Sequence, residues 1–184
     1  MEAATAGRPA SVKLLVAAAA GAAVALALGV YGHVHDPSKQ LVFTLFFSST
    51  IAMKVWVGSL AVAFGVVQVA SALWLYGKLP WKPASWTAVV HRISGRLAFL
   101  LSLPVAYHCL WSLGFQDTNA RVLAHSLLGC AFYGAFAAKV TIVRSKGLPG
   151  IALPIVGGLT FAVLVAVWLT SAFWFIGQQG WPPL

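Results

Sequence analysis

Five histidines stand in a chain of 184 residues of which 60% are apolar and only 8% charged. An imidazole can ligate a metal, relay a proton or hydrogen-bond at both edges. In apolar surroundings such a group is costly, so His33, His35, His91, His108 and His125 are the first candidates for chemistry. The two cysteines, Cys109 and Cys130, lack the spacing of a zinc site or a disulfide framework and read as small buried hydrophobes.

The segments that position these histidines must be membrane spans. Three acids in the whole chain could not solubilise a core this apolar, and a spanning helix needs about 20 mostly apolar residues. Five stretches qualify, approximately 13–32, 51–76, 91–114, 122–142 and 151–176, giving one all-α transmembrane bundle over 1–184 with no separate soluble domain. Leu41 to Ser49 is apolar as well and extends the second span backwards as an early start. Leu14 to Val30 has the look of a signal peptide, with Ala25-Leu26-Ala27 as its cleavage site, but is read as a span that remains.

Charge sets the orientation. With the N-terminus inside and the C-terminus outside, Arg8, Lys13, Lys78, Lys82, Arg92, Arg96, Lys139, Arg144 and Lys146 face the cytoplasm, leaving Lys39, Lys54 and Arg121 toward the outside. The basic residues therefore follow span ends, and the net charge of +9 is a topology signal that excludes nucleic-acid binding. Trp86, Trp111, Trp174 and Trp181 fall near span ends, as an interfacial belt requires. These features predict a multi-pass protein of the cytoplasmic (plasma) membrane.

On that topology His108 lies near the outer end of the third span and His125 near the outer start of the fourth. At about 1.5 Å rise per residue both sit within one or two turns of the outer surface, on consecutive antiparallel helices. Two imidazoles so placed can ligate one haem iron from opposite sides. Leu128, Gly129, Phe132 and Phe136 share the face of His125; a glycine there lets a porphyrin approach the backbone, and aromatics wall it. Leu97, Leu101, Pro104 and Trp111 share the face of His108, and Pro104 is expected to open the helix one turn before it. Arg121 and Lys54 are candidates for pairing with haem propionates. A hydrogen-bonding role for the two histidines is the competing structural reading.

The remaining histidines fit less well. His91 opens the third span 17 residues before His108, which turns it about 100° from the face of His108. It is read with Arg92 and Arg96 as a basic collar contacting lipid headgroups or a quinone. His33 and His35 close the first span. They are read as a solvated pair, with copper or zinc binding, or service of one of them as the haem ligand, as alternatives.

The run His91-Arg92-Ile93-Ser94-Gly95-Arg96, leading to Pro104 and His108, with His125 on the next span, resembles the small membrane b-type cytochromes, including the cytochrome b(561) and ferric-reductase-like groups. It also looks like a group of uncharacterised actinobacterial integral membrane proteins. The resemblance covers mainly residues 91 to 146. It implies haem b and electron transfer with His108 and His125 as axial ligands. Two-haem members carry four histidines within their helices, and the inner pair is missing here.

The function expected is a haem b electron-transfer protein with one bis-histidine haem near the outer leaflet. It would pass electrons between quinol or a redox partner subunit and an outer-face acceptor, as part of an oxidoreductase rather than as a stand-alone enzyme. A homo-oligomer is equally compatible with the sequence. A non-catalytic anchor or assembly subunit, packing through Gly21, Gly58, Gly65 and Gly157-Gly158, is the first alternative. A small transporter is the second, weakened by the lack of any Asp or Glu within the spans.

Overall fold

The computed structural model describes residues 9–40 and 43–184; Arg8 and Leu41 lie outside the described residues. The described chain forms helices α1 (Ala10–Val34), α2 (Thr50–Leu75), α3 (Thr87–His108), α4 (Ala120–Arg144), α5 (Ala152–Trp168) and α6 (Trp174–Gln179). Two π-helical turns, Cys109–Leu113 and Leu169–Phe173, extend α3 and join α5 to α6. The result is an all-α bundle of five helices, each long and apolar enough to cross a membrane: Ala10–Val34, Thr50–Leu75, Thr87–Leu113, Ala120–Arg144 and Ala152–Gln179.

The starts of α2 and α4 follow from side-chain capping that hydropathy does not report. Ser49 Oγ accepts the Ala52 amide at 3.1 Å and starts α2. The early start read into the stretch up to Ser49 is therefore wrong for 43–49, which form a turn in which Leu45 and Phe46 have φ of 47° and 71°. Asn119 Oδ1 accepts the Val122 amide at 3.1 Å and starts α4 two residues earlier than the apolar run predicts. Thr87, whose amide donates to Ala84 O, begins α3 four residues before His91. His91 thus stands one turn inside the helix instead of opening it. Gly114 and Gly180, with φ of 70° and 76°, end the third and fifth spans in a conformation that favours glycine.

Packing does not follow chain order. α2 lies against α3, α1 against α4, and α4 against α5. α3 and α4 are consecutive but are not among the closely packed pairs; they meet through side chains. Phe99 stacks on Phe136 with centroids 4.1 Å apart, and Tyr133 donates to Ser102 Oγ at 2.9 Å. Above and below these contacts the helices leave space.

At the end carrying His33, His35, His108 and His125 the connections are knit together. Phe115 N donates to Gly32 O at 2.6 Å, and Lys39 N to Ser112 O at 3.1 Å. The C-terminal segment folds back over the start of α2, where Trp56 Nε1 donates to Pro182 O and Ser48 Oγ to Pro183 O. Trp86, Trp111, Trp174 and Trp181 are all exposed near span ends, in keeping with an interfacial belt.

Candidate functional site

Two cavities occupy the spaces beside the α3–α4 contacts, one toward each end of the bundle. The larger, about 420 Å³, lies at the His108/His125 end and is lined by all five spans. Its volume falls in the range of cofactor and small-molecule sites, about 300–1,000 Å³. The smaller, about 300 Å³, lies at the His91 end. Phe132 and Leu164 line both, so a single layer of side chains separates them.

Lys54, Arg121, His125, Gly129 and Phe132 all line the larger cavity. A Cβ built on Gly129 would meet nothing within 4 Å, as expected of a glycine facing open space. The Arg121 guanidinium lies 3.8 Å above the Trp174 ring and donates to Thr170 O at 2.7 Å. That carbonyl belongs to the π turn Leu169–Phe173, where the regular helical ladder is interrupted and backbone oxygens become available to side chains. Phe136 differs from expectation: it lines the smaller cavity only, two turns further from His125 than Gly129 is.

The contacts of Thr170 point to one tautomer of His125. Nδ1 lies 3.2 Å from Thr170 Oγ1. The Thr170 hydroxyl is itself 2.9 Å from Ala166 O and 3.0 Å from Val167 O, so its proton is engaged by a carbonyl and its oxygen accepts from His125 Nδ1–H. Nε2 is then the unprotonated nitrogen. A partner that holds one ring nitrogen as a donor is what orients a ligating histidine and leaves the other lone pair for a metal.

His108 is placed differently. The residues of the third span that line the larger cavity are Ser102, Val105, Ala106, Cys109, Leu110 and Leu113; His108 is off this face by one residue, and Cys109 takes the position expected for it. His108 is buried, with neither ring nitrogen partnered. Leaving a buried imidazole donor unsatisfied costs about 1–3 kcal/mol. Pro104 leaves the α-helix intact through His108, and the departure from α geometry comes one residue after it rather than one turn before. Trp111 is turned outward, its ring 4.7 Å from that of His35.

His33 and His35 dock on aromatic neighbours. His35 stacks on Tyr31 and has Nε2 3.1 Å from Trp111 O; His33 meets Phe115 edge-on. Among the described residues no three His, Cys, Asp or Glu side chains form a group able to hold a metal ion.

His91 is not part of a surface collar. Arg92 and Arg96 are exposed, whereas His91 turns inward to α2. Its Nδ1 lies 3.0 Å from Ser71 Oγ and 3.1 Å from Gln68 O, and Gln68 Nε2 approaches both ring nitrogens. The Ser71 hydroxyl donates to Val67 O at 2.7 Å, and the His91 ring is held among Ser71 Oγ, Gln68 O and the Gln68 amide. Gly95 permits this clasp: a Cβ there would fall within 3.0 Å of Gln68 Oε1 and Cδ. Replacing Gln68 with Leu should leave His91 Nε2 unpaired and lower stability by about 1–3 kcal/mol, read as a fall in the detergent-solubilised protein's thermal midpoint; an unchanged midpoint would show the clasp to be incidental.

Cys109, Thr170, Trp168 and Tyr133 are site residues that the sequence reading missed. Cys109 neighbours a predicted ligand and was one residue out of register. The others carry no local signal, since they join the site only through packing of α3, α4 and α5.

Fold and site together define an all-α protein of five helices able to span a membrane, with two stacked cavities, the larger lined by His125. The chain belongs to the family of unknown function DUF6529, whose model matches residues 14–183. No curated protein and no solved structure gives a significant match.

Proposed function

We propose that the larger cavity is a haem b site and that the protein is an electron-transfer component of the cytoplasmic membrane. The carrying observation is His125: it projects into a largely apolar cavity with Nδ1 held by Thr170, which leaves Nε2 free to ligate iron. Lys54 and Arg121 supply cations at the cavity wall for the two propionates, Gly129 leaves room for the macrocycle beside the ligand, and Phe132 and Trp168 wall it. Bound there, the haem would supply one-electron transfer.

His108 is the proposed second ligand. Bringing it onto the cavity face takes a rotation of about 100°, one residue of an α-helix. The π turn that begins at Cys109 is the element able to absorb such a register change, and the unpartnered ring nitrogens of His108 are what the rotation would satisfy. Held by two histidines, with no ligand position left open, the group would supply electron transfer in preference to oxygen chemistry.

The deciding measurement is a reduced-minus-oxidised absorbance spectrum of the purified protein, with haem content. The reading expects a b-type α-band at near-stoichiometric haem. A colourless preparation from haem-replete cells, unable to take up added haemin, would leave a transporter or assembly subunit as the better description. Arg121→Gln with Lys54→Gln should retain the band but weaken haem retention by about tenfold or more, as loss of charge-assisted hydrogen bonds requires. Equal retention in the double variant would show that the cations do not meet propionates.

A further inference from the structure

The smaller cavity carries a function of its own. It is lined by α2, α3, α4 and α5 and is apolar apart from a few groups near the His91 end, among them Gln68, His91 and Lys139. His91 is satisfied by Ser71 and Gln68, which makes it part of the wall. Lys139 is different. It stands on α4 five residues before Arg144 ends that helix, roughly 7–8 Å from the helix end at 1.5 Å per residue, and it is half-buried.

Among the described residues no carboxylate is near enough in the fold to neutralise it. Asp36 and Asp117, the acids among the described residues, stand at the opposite end of the bundle, after α1 and before α4. Lys78, Lys82, Arg92, Arg96, Arg144 and Lys146 all belong to the Lys139 end, which the distribution of basic residues assigns to the cytoplasmic leaflet. A cation at the wall of an apolar cavity, with no counter-ion among the described residues, attracts an anion more strongly than a neutral acceptor. The occupant should therefore bring an anion to Lys139 and an apolar chain to the rest of the cavity.

The cavity is shaped for that. Beyond Lys139 it is walled by Ala98, Phe99, Phe136, Phe161 and Leu164, and side chains built on Gly157 and Gly158 would meet nothing within 4 Å. Leu73, Tyr76 and Val143 at its margin are exposed, so it communicates with the lipid-facing surface near the helix ends. Basic pockets between spans on the cytoplasmic side suit anionic lipid headgroups.

We infer that this cavity binds an anionic phospholipid, the phosphate at Lys139 and one acyl chain running between α3, α4 and α5 toward Phe132. The inference is independent of the haem reading. It makes Lys139 a lipid ligand and gives the bundle a lipid-dependent packing at the end where α3 and α4 stand apart.

The test is native mass spectrometry and thermal unfolding of the full chain in nanodiscs or detergent, titrated with phosphatidylglycerol, phosphatidylcholine, palmitate or a short-chain quinone. Phosphatidylglycerol should be retained at about one per chain and bind about tenfold more tightly than phosphatidylcholine, whose phosphate is the same but whose quaternary ammonium would be brought beside the Lys139 cation. Lys139→Gln should abolish that preference, and exposed Arg92→Gln should keep it. Gly157→Phe, which fills the open space without touching the cation, should reduce retention of any acyl lipid and guards against a Lys139 variant that fails to fold. A preference unchanged in Lys139→Gln would overturn the inference in favour of general surface attraction, and lipid retention unchanged in Gly157→Phe would overturn the placement of the acyl chain in the cavity. Palmitate displacing phosphatidylglycerol at equal concentration would assign the site to a free carboxylate, and stoichiometric quinone displacing the lipid would assign it to a neutral headgroup; either outcome overturns it. Repeating the titration on His125→Ala separates this result from the haem reading, since the lipid preference should survive there.

Discussion

Replacing His125 with Ala should remove the b-type absorbance altogether, and added imidazole should restore a large part of it. The substitution takes away the one imidazole that lines the larger cavity, and it leaves a space of imidazole size beside Thr170 Oγ1. Because the Thr170 hydroxyl stays anchored to Ala166 O and Val167 O, the acceptor that orients a ring N–H remains in place for the exogenous ligand. Rescue separates loss of a ligand from loss of the fold, which free imidazole could not repair. Thr170→Val, which keeps the volume and deletes the acceptor, should retain haem with a shifted midpoint potential. His108→Ala should also lose the band. Were it to keep the band while His125→Ala lost it, iron would be held by His125 without the rotation at the π turn, and Cys109, which already faces the cavity, would become the residue to test next. His91→Ala should leave the band unaltered, since its ring nitrogens are committed to Gln68 and Ser71.

The parts of this molecule that a sequence reveals are those governed by the solvent. Long apolar runs must be helices in a bilayer because no water is present to satisfy an open backbone, so five spans were legible from hydropathy alone. Their ends were legible less well, because Asn119 and Thr87 start helices through local hydrogen bonds made within more polar sequence. The reading of 43–49 as helix failed for the same reason: Ser49 caps α2, and what precedes a cap is not helix.

Depth along the spans was the legible part of the candidate cavity. Depth along a helix depends only on rise, and it brought Lys54, Arg121, His125, Gly129 and Phe132 to one cavity. Which face of a helix borders a cavity depends on how the other spans pack against it; α3 stays regular through His108, and it turns the face of Ser102, Val105, Ala106 and Cys109 to the cavity in place of the His108 face. Partners from other spans were illegible. Nothing local in α5 announces that Thr170 will meet His125, and nothing in α3 announces that His91 will be clasped by Gln68 and Ser71 across the interface with α2.

The pairing of α1 with α4 is the largest structural commitment hidden from sequence order, and Gly134→Leu should break it. A Cβ on Gly134 would lie 2.6 Å from Gly21 O and 2.9 Å from Ala25 Cβ; a Cβ on Gly21 would lie 2.7 Å from Gly134 O. The two backbones are therefore in direct contact, and the first atom of a side chain on either helix collides with main chain, which cannot rotate aside. Membrane helices gain no hydrophobic drive from association, so close approach through small residues is a principal source of their affinity. Overpacking ordinarily costs about 1–3 kcal/mol, and a branched side chain against backbone belongs at or above the top of that range. α1 has no comparably extensive packing with another span, so it should detach as a unit while α2 to α5 stay together. The expected signature is protease sensitivity at the 35–49 connection with a lowered thermal midpoint, alongside a retained spectrum, because the cavity walls that carry Lys54, Arg121 and His125 belong to α2 and α4. Loss of the spectrum together with α1 would mean instead that Leu28 and the α1–α3 contacts at Gly32 and Phe115 hold the mouth of the cavity closed, and that the first span is part of the site and not only its outer support.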